Sequence, residues 1–283
     1  MSSELMNQSH IQKKFSADCD QCFGLCCVAL PYAKSADFAF NKDGGTPCQN
    51  LNAGYRCNIH TNLRNSGLRG CTVYDCFGAG QKISQVTYSG KSWRDSPAIA
   101  EEMFNLLPVM QQLHEMLFYL NEALSLAEAR PIYADLQKAI AKTEQLTDQD
   151  PESLLNLHVP AHRALINDLL LQTSELVRAK VKKNMEHSKY NKKLKQRDLM
   201  GANLRGANLR GANLRGVLLI AADLREADMR MTDLIGADFR DADLSGANLE
   251  GSIFLTQAQL NSAKGNRKTI LPPSLSIPDH WLH

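Results

Sequence analysis

The chain has 283 residues, 43% of them hydrophobic and 22% charged, with a formal net charge of +2. That composition is ordinary for a globular protein, and the length suits two or three domains. No run approaches 18 uninterrupted apolar residues, which excludes a transmembrane helix. The opening MSSELMNQSHIQKKF has no apolar signal core, so the expected location is the cytoplasm.

The cysteines come first along the chain. All eight lie between Cys19 and Cys76, in the order Cys19-x-x-Cys22-x-x-x-Cys26-Cys27, Pro47-Cys48, Cys57-x-Ile59-His60 and Cys71-x-x-x-x-Cys76. In a reducing compartment such crowding points to metal ligands more than to disulfides. A Cys-x-x-Cys loop lets two thiolates approach one ion, and zinc and iron–sulphur clusters both accept four soft sulfur ligands. Eight cysteines fill two four-ligand sites, or one site with spare or redox-active thiols. Structural disulfides and unliganded thiols are the competing readings. The first is disfavoured by the lack of a signal, the second by the oxidation that crowded thiols invite.

The same order of cysteines resembles the CxxCxxCC family of zinc- or iron-chelating domains over roughly residues 15–80. The resemblance implies Cys19, Cys22, Cys26, Cys27, Cys48, Cys57 and Cys71 as family cysteines, with Cys76 at the closing position. His60 stands where the family usually has Tyr, and is either an added ligand or a loop histidine. The run Tyr74–Gln81 lacks the Gly-Lys-Ser/Thr ending of a phosphate loop and reads as a turn leading out of the module.

Residues 97–177 carry 4 Lys+Arg against 12 Asp+Glu, and read as helices. Met103, Phe104, Leu107, Leu113, Met116, Leu117, Leu120 and Leu124 recur mostly at spacings of three and four. Pro108 is expected to start a new helix or to kink the first. Pro131 and Asp150-Pro151 read as helix starts, with Asp150 as N-cap. A long helix is expected after Pro160, with Ile166, Leu169, Leu170, Val177, Val181 and Met185 on one side. His158 and His162 flank Pro160 and do not read as a helical metal pair, and His114-Glu115 lacks the second histidine of HExxH. Arg178–Lys195 is strongly basic but has no aromatic ladder, so it reads as a solvated helix end and not as a nucleic-acid contact.

From Arg197 to Thr256 the sequence repeats every five residues, in twelve units such as Ala202-Asn203-Leu204-Arg205-Gly206. The central position is Leu, Met or Phe in all twelve, Ala stands two before it in eight, and Asp or Asn lies between them in ten. A period of five would smear the leucines around a helix and send successive leucines to opposite faces of a strand. A solenoid that turns a corner every five residues points the large apolar residue and the Ala inward.

This segment resembles the pentapeptide-repeat family, which implies a right-handed quadrilateral β-helix with four units to a coil. Twelve units then make about three coils, roughly 14 Å tall at the spacing of paired strands. Residues twenty apart should stack: Arg205 with Arg225, Arg210 with Arg230, and Met200 with Ile220 beside the outward Leu218. That apolar side is expected to face the protein's own helices or a second copy of the chain. The tail from Gln257, with Pro272, Pro273, Pro278 and Trp281, resembles the terminal cap of such proteins.

The expected architecture is therefore multidomain α and β. A cysteine-rich, metal-stapled module spans 1–96, a helical connector 97–196, and a β-helix with its cap 197–283. No catalytic constellation stands out. The expected function is a non-enzymatic, metal-binding (zinc or iron–sulphur) scaffold that meets protein partners through the faces of the solenoid, with a homodimer as one form and no membrane or nucleic acid partner. The alternatives are an antibiotic or nucleoside-analogue resistance factor and an iron–sulphur or zinc-dependent enzyme.

Overall fold

The computed structural model describes residues 15–179, 181 and 197–282. The opening segment, Met185 and all of the basic run except Arg178, Ala179 and Val181 lie outside the described residues. The regular secondary structure among those described is helical.

Three short helices belong to the cysteine segment: α1 (Leu25–Ala29), α2 (Arg69–Thr72) and α3 (Ala79–Gln81), the last running into a π-helical turn at Lys82–Thr87. The long helices follow. In α4 (Pro97–Ser125) the three-and-four spacing buries Met103, Leu106, Leu107, Met110, Leu113, Met116, Leu117 and Leu120. The helix continues through Pro108, so no new helix starts there.

Pro131 sits in a 3-10 turn, Ala127–Ile132, that leads into α5 (Tyr133–Thr147). Asp150 caps α6 (Pro151–Leu155), its carboxylate accepting from the Ser153 N–H at 3.0 Å and hydroxyl at 2.7 Å. This is the N-cap geometry its position predicts. Helix α7 (Val159–Arg178) then buries Ile166, Leu170 and Val177. Among the described residues no helix is long and apolar enough to cross a membrane.

Contacts divide the chain into two compact units. One holds the described residues of 10–121 together with 134–168; the other holds 122–133 and the described residues from 169 onward.

The five-residue repeats correct the expected fold class. Among the described residues there is no β-strand and no sheet, so the expected quadrilateral β-helix is not what forms. Residues pair singly, in isolated parallel bridges: Asp198 with Leu218 and then Asp238, Asn203 with Asp223 and then Asp243, Asn208 with Asp228 and then Asn248, and Asn213 with Asp233 and then Ile253. Each bridge joins residues twenty apart. Between bridges the backbone closes a turn in every unit, as in Ala202 N–H to Leu199 O at 3.0 Å and Ala207 N–H to Leu204 O at 3.0 Å.

The physical reason lies in the period. A strand needs consecutive extended residues, and a chain that turns every five residues leaves only one residue per side to pair. The outward Asp or Asn reinforces each turn: Asn203 Oδ1 accepts from the Arg205 N–H at 3.1 Å, and Asp228 Oδ1 from that of Arg230 at 3.2 Å. The last residue of the unit has positive φ, 61° at Gly206 and 71° at Gly211, which explains the recurring glycine. Ala221, Glu226, Met231 and Asp241 hold the same conformation with φ between 55° and 59°. The inward Leu, Met, Phe and Ala form one continuous core inside this coil of turns.

The tail continues the ladder. Lys264 bridges to Asp243 and Ile270 to Asn248. Helix α8 (Gln257–Ser262) starts with a capping box between Thr256 and Gln259. Trp281 is buried, and its indole N–H donates to Ala263 O at 3.0 Å.

Candidate functional site

The candidate site is the cysteine segment. All eight cysteines are free thiols; Cys48 is buried, Cys19 and Cys71 are exposed, and the other five are half-buried. Local structure explains how they gather. Gly24 (φ 64°) starts α1 where a side chain would collide with Leu51, and that start carries Cys26 and Cys27 on one short helix. The Cys48 N–H donates to Cys27 O at 2.9 Å, and Leu51 bridges to Cys57, which folds the middle of the segment back onto α1. Cys71 sits in α2, where the Phe38 ring fills the space beside Gly70. Cys76 precedes Phe77 and Gly78, both at positive φ, and the α3 turn.

The helices of the same unit hold this segment from one side. His114 Nδ1 is 2.8 Å from Phe77 O, Gln111 Nε2 donates to Asp75 O at 2.7 Å, and the Phe77 and Phe118 rings lie 5.3 Å apart. His114 therefore has a structural partner. His162 likewise meets the Thr143 hydroxyl at 2.9 Å. His60 is exposed on a single 3-10 turn after Cys57.

Burial dominates the electrostatics of most of the thiols. Burial pushes Cys22 up to about 12, and Cys76 and Cys19 add to the rise, while the N–H groups of Leu25 and Gly24 oppose it. Burial pushes Cys71 up to about 11, helped by Cys27, Cys48 and Cys57. Cys19, Cys57 and Cys76 also rise, through burial first. The Cys26 and Cys27 sulfurs share a hydrogen bond at 4.0 Å, which raises Cys26 and lowers Cys27. Lys42 assists at Cys27. It is 6% exposed, and its ammonium is held by Val28 O at 3.0 Å and Asp43 O at 2.9 Å.

The donor chemistry suits a thiophilic ion. Backbone N–H groups oppose the rise from burial at three cysteines: Leu25 and Gly24 at Cys22, Ile59 at Cys57, and Gly80 and Gly78 at Cys76. Such donors stabilise thiolate. A Cβ at Gly80 would stand 2.6 Å from the Cys22 sulfur and 3.9 Å from that of Cys76, so only glycine leaves room between them. Among the described residues, no group of three or more His, Cys, Asp or Glu side chains stands in an arrangement that would hold a metal ion. The thiols are gathered but not converged.

Sequence reasoning did not anticipate Lys42, Tyr32 or Gly80. Nothing marks Lys42 locally as a buried cation. Tyr32, whose hydroxyl is 3.4 Å from the Cys48 sulfur, carries no motif. The glycines of the Tyr74–Gln81 run were legible only as a turn.

The faces of the coil form the second feature. Arg225 binds Asp223 through two bonds of 2.8 and 2.6 Å, and Arg230 binds Asp228 in the same way. Arg205 reaches Glu226 at 3.1 Å, and Arg215 pairs at 2.9 Å with Asp233, which is fully buried. The stacked arginines are thus mostly neutralised within the coil. Met200 and Leu218 are 54% and 39% exposed.

Known proteins resemble this chain in two ways. A family model described as pentapeptide repeats matches in eight copies, over residues 198–234 and 219–254. The uncharacterized protein YybG of Bacillus subtilis (strain 168) is 61% identical over 282 residues, which is 99% of this chain and all of that protein. No solved structure matches. The chain carries pentapeptide repeats over residues 198–254 and belongs to one family with Bacillus subtilis YybG.

Proposed function

We propose that this protein is a non-enzymatic cytoplasmic scaffold whose coil meets a protein partner, and whose cysteine segment is held by a thiophilic metal, zinc or an iron–sulphur cluster. The observation that carries the first half is the repeat array. Its inward positions are consumed by the core, and the five-residue period sets the remaining side chains outward in regular rows. The exposed Met200 and Leu218 give one of those rows an apolar contact surface.

The metal-binding half is supported by eight free thiols within 58 residues and by the glycine between Cys22 and Cys76. A bound ion would supply the positive charge that lets these thiols ionise. The resemblance to the CxxCxxCC family points the same way.

Affinity capture with the full chain tests the scaffold. A partner retained by the wild type and lost with Leu218→Asp is the expected result, with the melting temperature unchanged. A mass in solution that halves with Leu218→Asp identifies the partner as a second copy. Capture that is unchanged by Leu218→Asp and by Arg225→Glu removes the coil faces from the interaction. Metal analysis of anaerobically purified protein tests the second half, and folded, metal-free protein with intact thiols overturns it.

A further inference from the structure

We propose that Gln111 and His114 of α4, with Gln81 and Gln85 at and beyond α3, are positioning residues that hold the Cys22 and Cys76 sulfurs together as the preformed half of a site for a thiophilic ion. The proposal rests on the metal-binding reading above. It goes beyond that reading in naming the sulfur pair that is set before an ion arrives, and the side chains that set it.

The pair is placed by geometry. A Cβ on Gly80 would stand 2.6 Å from the Cys22 sulfur and 3.9 Å from the Cys76 sulfur, so both sulfurs meet over one glycine although 54 residues separate them. The Cys22 Cβ lies 3.3 Å from the same point, so that whole side chain rests against the glycine.

Cys76 reaches this place through a strained turn. Phe77 has φ 50° and Gly78 has φ 84°, and left-handed backbone is costly for a phenylalanine. Three α4 side chains hold the turn, and their spacing of three and four puts them on one helix face. Gln111 Nε2 donates to Asp75 O at 2.7 Å, and its Oε1 accepts from the Tyr74 hydroxyl at 3.3 Å. His114 Nδ1 lies 2.8 Å from Phe77 O; a carbonyl only accepts, so Nδ1 carries the proton and donates. The Phe118 ring packs on that of Phe77 at 5.3 Å. The chain is thus tied to α4 on both sides of Cys76.

Cys22 is held by the segment that follows Cys76. Gln81 Oε1 accepts from the Asp18 N–H at 3.0 Å, and its Nε2 donates to Ser16 O at 2.9 Å. Ser84 Oγ accepts from the Phe23 N–H at 3.4 Å, and Gln85 Nε2 donates to Gln21 O at 2.8 Å. These bonds fall on both sides of Cys22. Both sulfurs are therefore registered on one short helical segment, and α4 fixes where that segment begins. Sulfurs already in place spare a metal the ordering of its ligands, so the groups that orient them govern affinity.

The test uses the reduced full chain. In metal-free protein, dibromobimane joins neighbouring thiols, and mass mapping should find Cys22–Cys76 as the main cross-link. His114→Phe removes the N–H; it should cut that cross-link and weaken Zn2+ binding by about 10–100-fold. His114→Asn, whose amide N–H takes nearly the place of Nδ1–H, should restore both. Gln85→Ala, at an exposed side chain, is the milder variant and should lower the cross-link with the melting temperature unchanged. A main cross-link that joins Cys22 or Cys76 to another cysteine overturns the pair. Equal yields in the wild type, His114→Phe and Gln85→Ala, or a His114→Asn no better than His114→Phe, overturn the positioning role, and zinc uptake by the wild type then leaves metal binding intact. A wild type that gives the cross-link but takes up no zinc and no iron keeps the pair and overturns the metal-binding reading itself.

Discussion

The coil and the cysteine segment reach order by opposite means. In the coil one local solution recurs: an inward Leu, a turn closed by the preceding Asp or Asn, and a bridge to the residue twenty positions on. In the cysteine segment every contact occurs once, such as the Phe38 ring beside Gly70, or the Trp93 indole donating to Phe23 O at 2.8 Å. Arg94 stacks 4.0 Å from the Tyr55 ring centroid in the same region. Repetition spreads stability over many equivalent layers, whereas a segment of single contacts with few large apolar residues depends on a staple.

The largest test of this contrast is metal removal. Chelation under reducing conditions should abolish the near-ultraviolet signal of Tyr32, Tyr55 and Trp93 while the thermal transition of the coil survives. Loss of both together would erase the distinction. Next in size is a cavity in the repeated core. Leu224→Ala, at a side chain with no exposure, should cost about 2–5 kcal/mol, read by chemical denaturation. A cost under 1 kcal/mol would mean that neighbouring layers collapse to fill the gap.

Two glycines at equivalent positions separate backbone strain from packing. A Cβ at Gly206 meets nothing within 4 Å, so Gly206→Ala should cost only the strain of positive φ, about 1 kcal/mol. At Gly211 the Cβ would collide with Val181, and Arg178 Nε also donates to Gly211 O at 2.9 Å. Gly211→Ala should therefore cost about 1–3 kcal/mol more than Gly206→Ala. Equal costs would show that Val181 yields freely.

The smallest expected effect is a dependence on pH. Glu122 accepts from the Phe254 N–H at 2.7 Å, and burial, with Asp233 nearby, pushes its carboxyl from 4.5 up to about 8. The folded state thus holds a proton that the unfolded state releases, so stability falls as pH rises from about 4.5 to 8. Because Glu122 is half-buried, about 1–2 kcal/mol is expected over that window. Glu122→Gln keeps the acceptor oxygen and should flatten the dependence. An identical slope in the variant would assign it to other groups.

Much of the coil was legible in its residues. The five-residue period set which side chains face inward, and Leu204, Leu214, Ala207 and Ala222 are all buried as that period requires. The helix starts at Asp150 and after Pro131 were legible for the same reason, since capping and proline effects act within a few residues. The expected strands failed because a turn in every unit leaves no run of extended residues to pair. No new helix starts at Pro108, because apolar burial on both sides of it, Leu107 and Met110, sustains α4. The stacked arginines were expected from the twenty-residue offset, but their binding to Asp223 and Asp228 within the same unit was not.

The sequence by itself determined the repeat, its inward and outward faces, and the confinement of every thiol to the first 76 residues. These are properties of spacing, and spacing is read along one dimension. Only the tertiary structure decided that the coil pairs residue by residue, that Lys42 is buried beside Cys27, and that Cys76 returns to Cys22 across Gly80. Each of those depends on where the chain comes back to, and a sulfur's neighbours across 54 residues follow from the path between them and not from any local pattern.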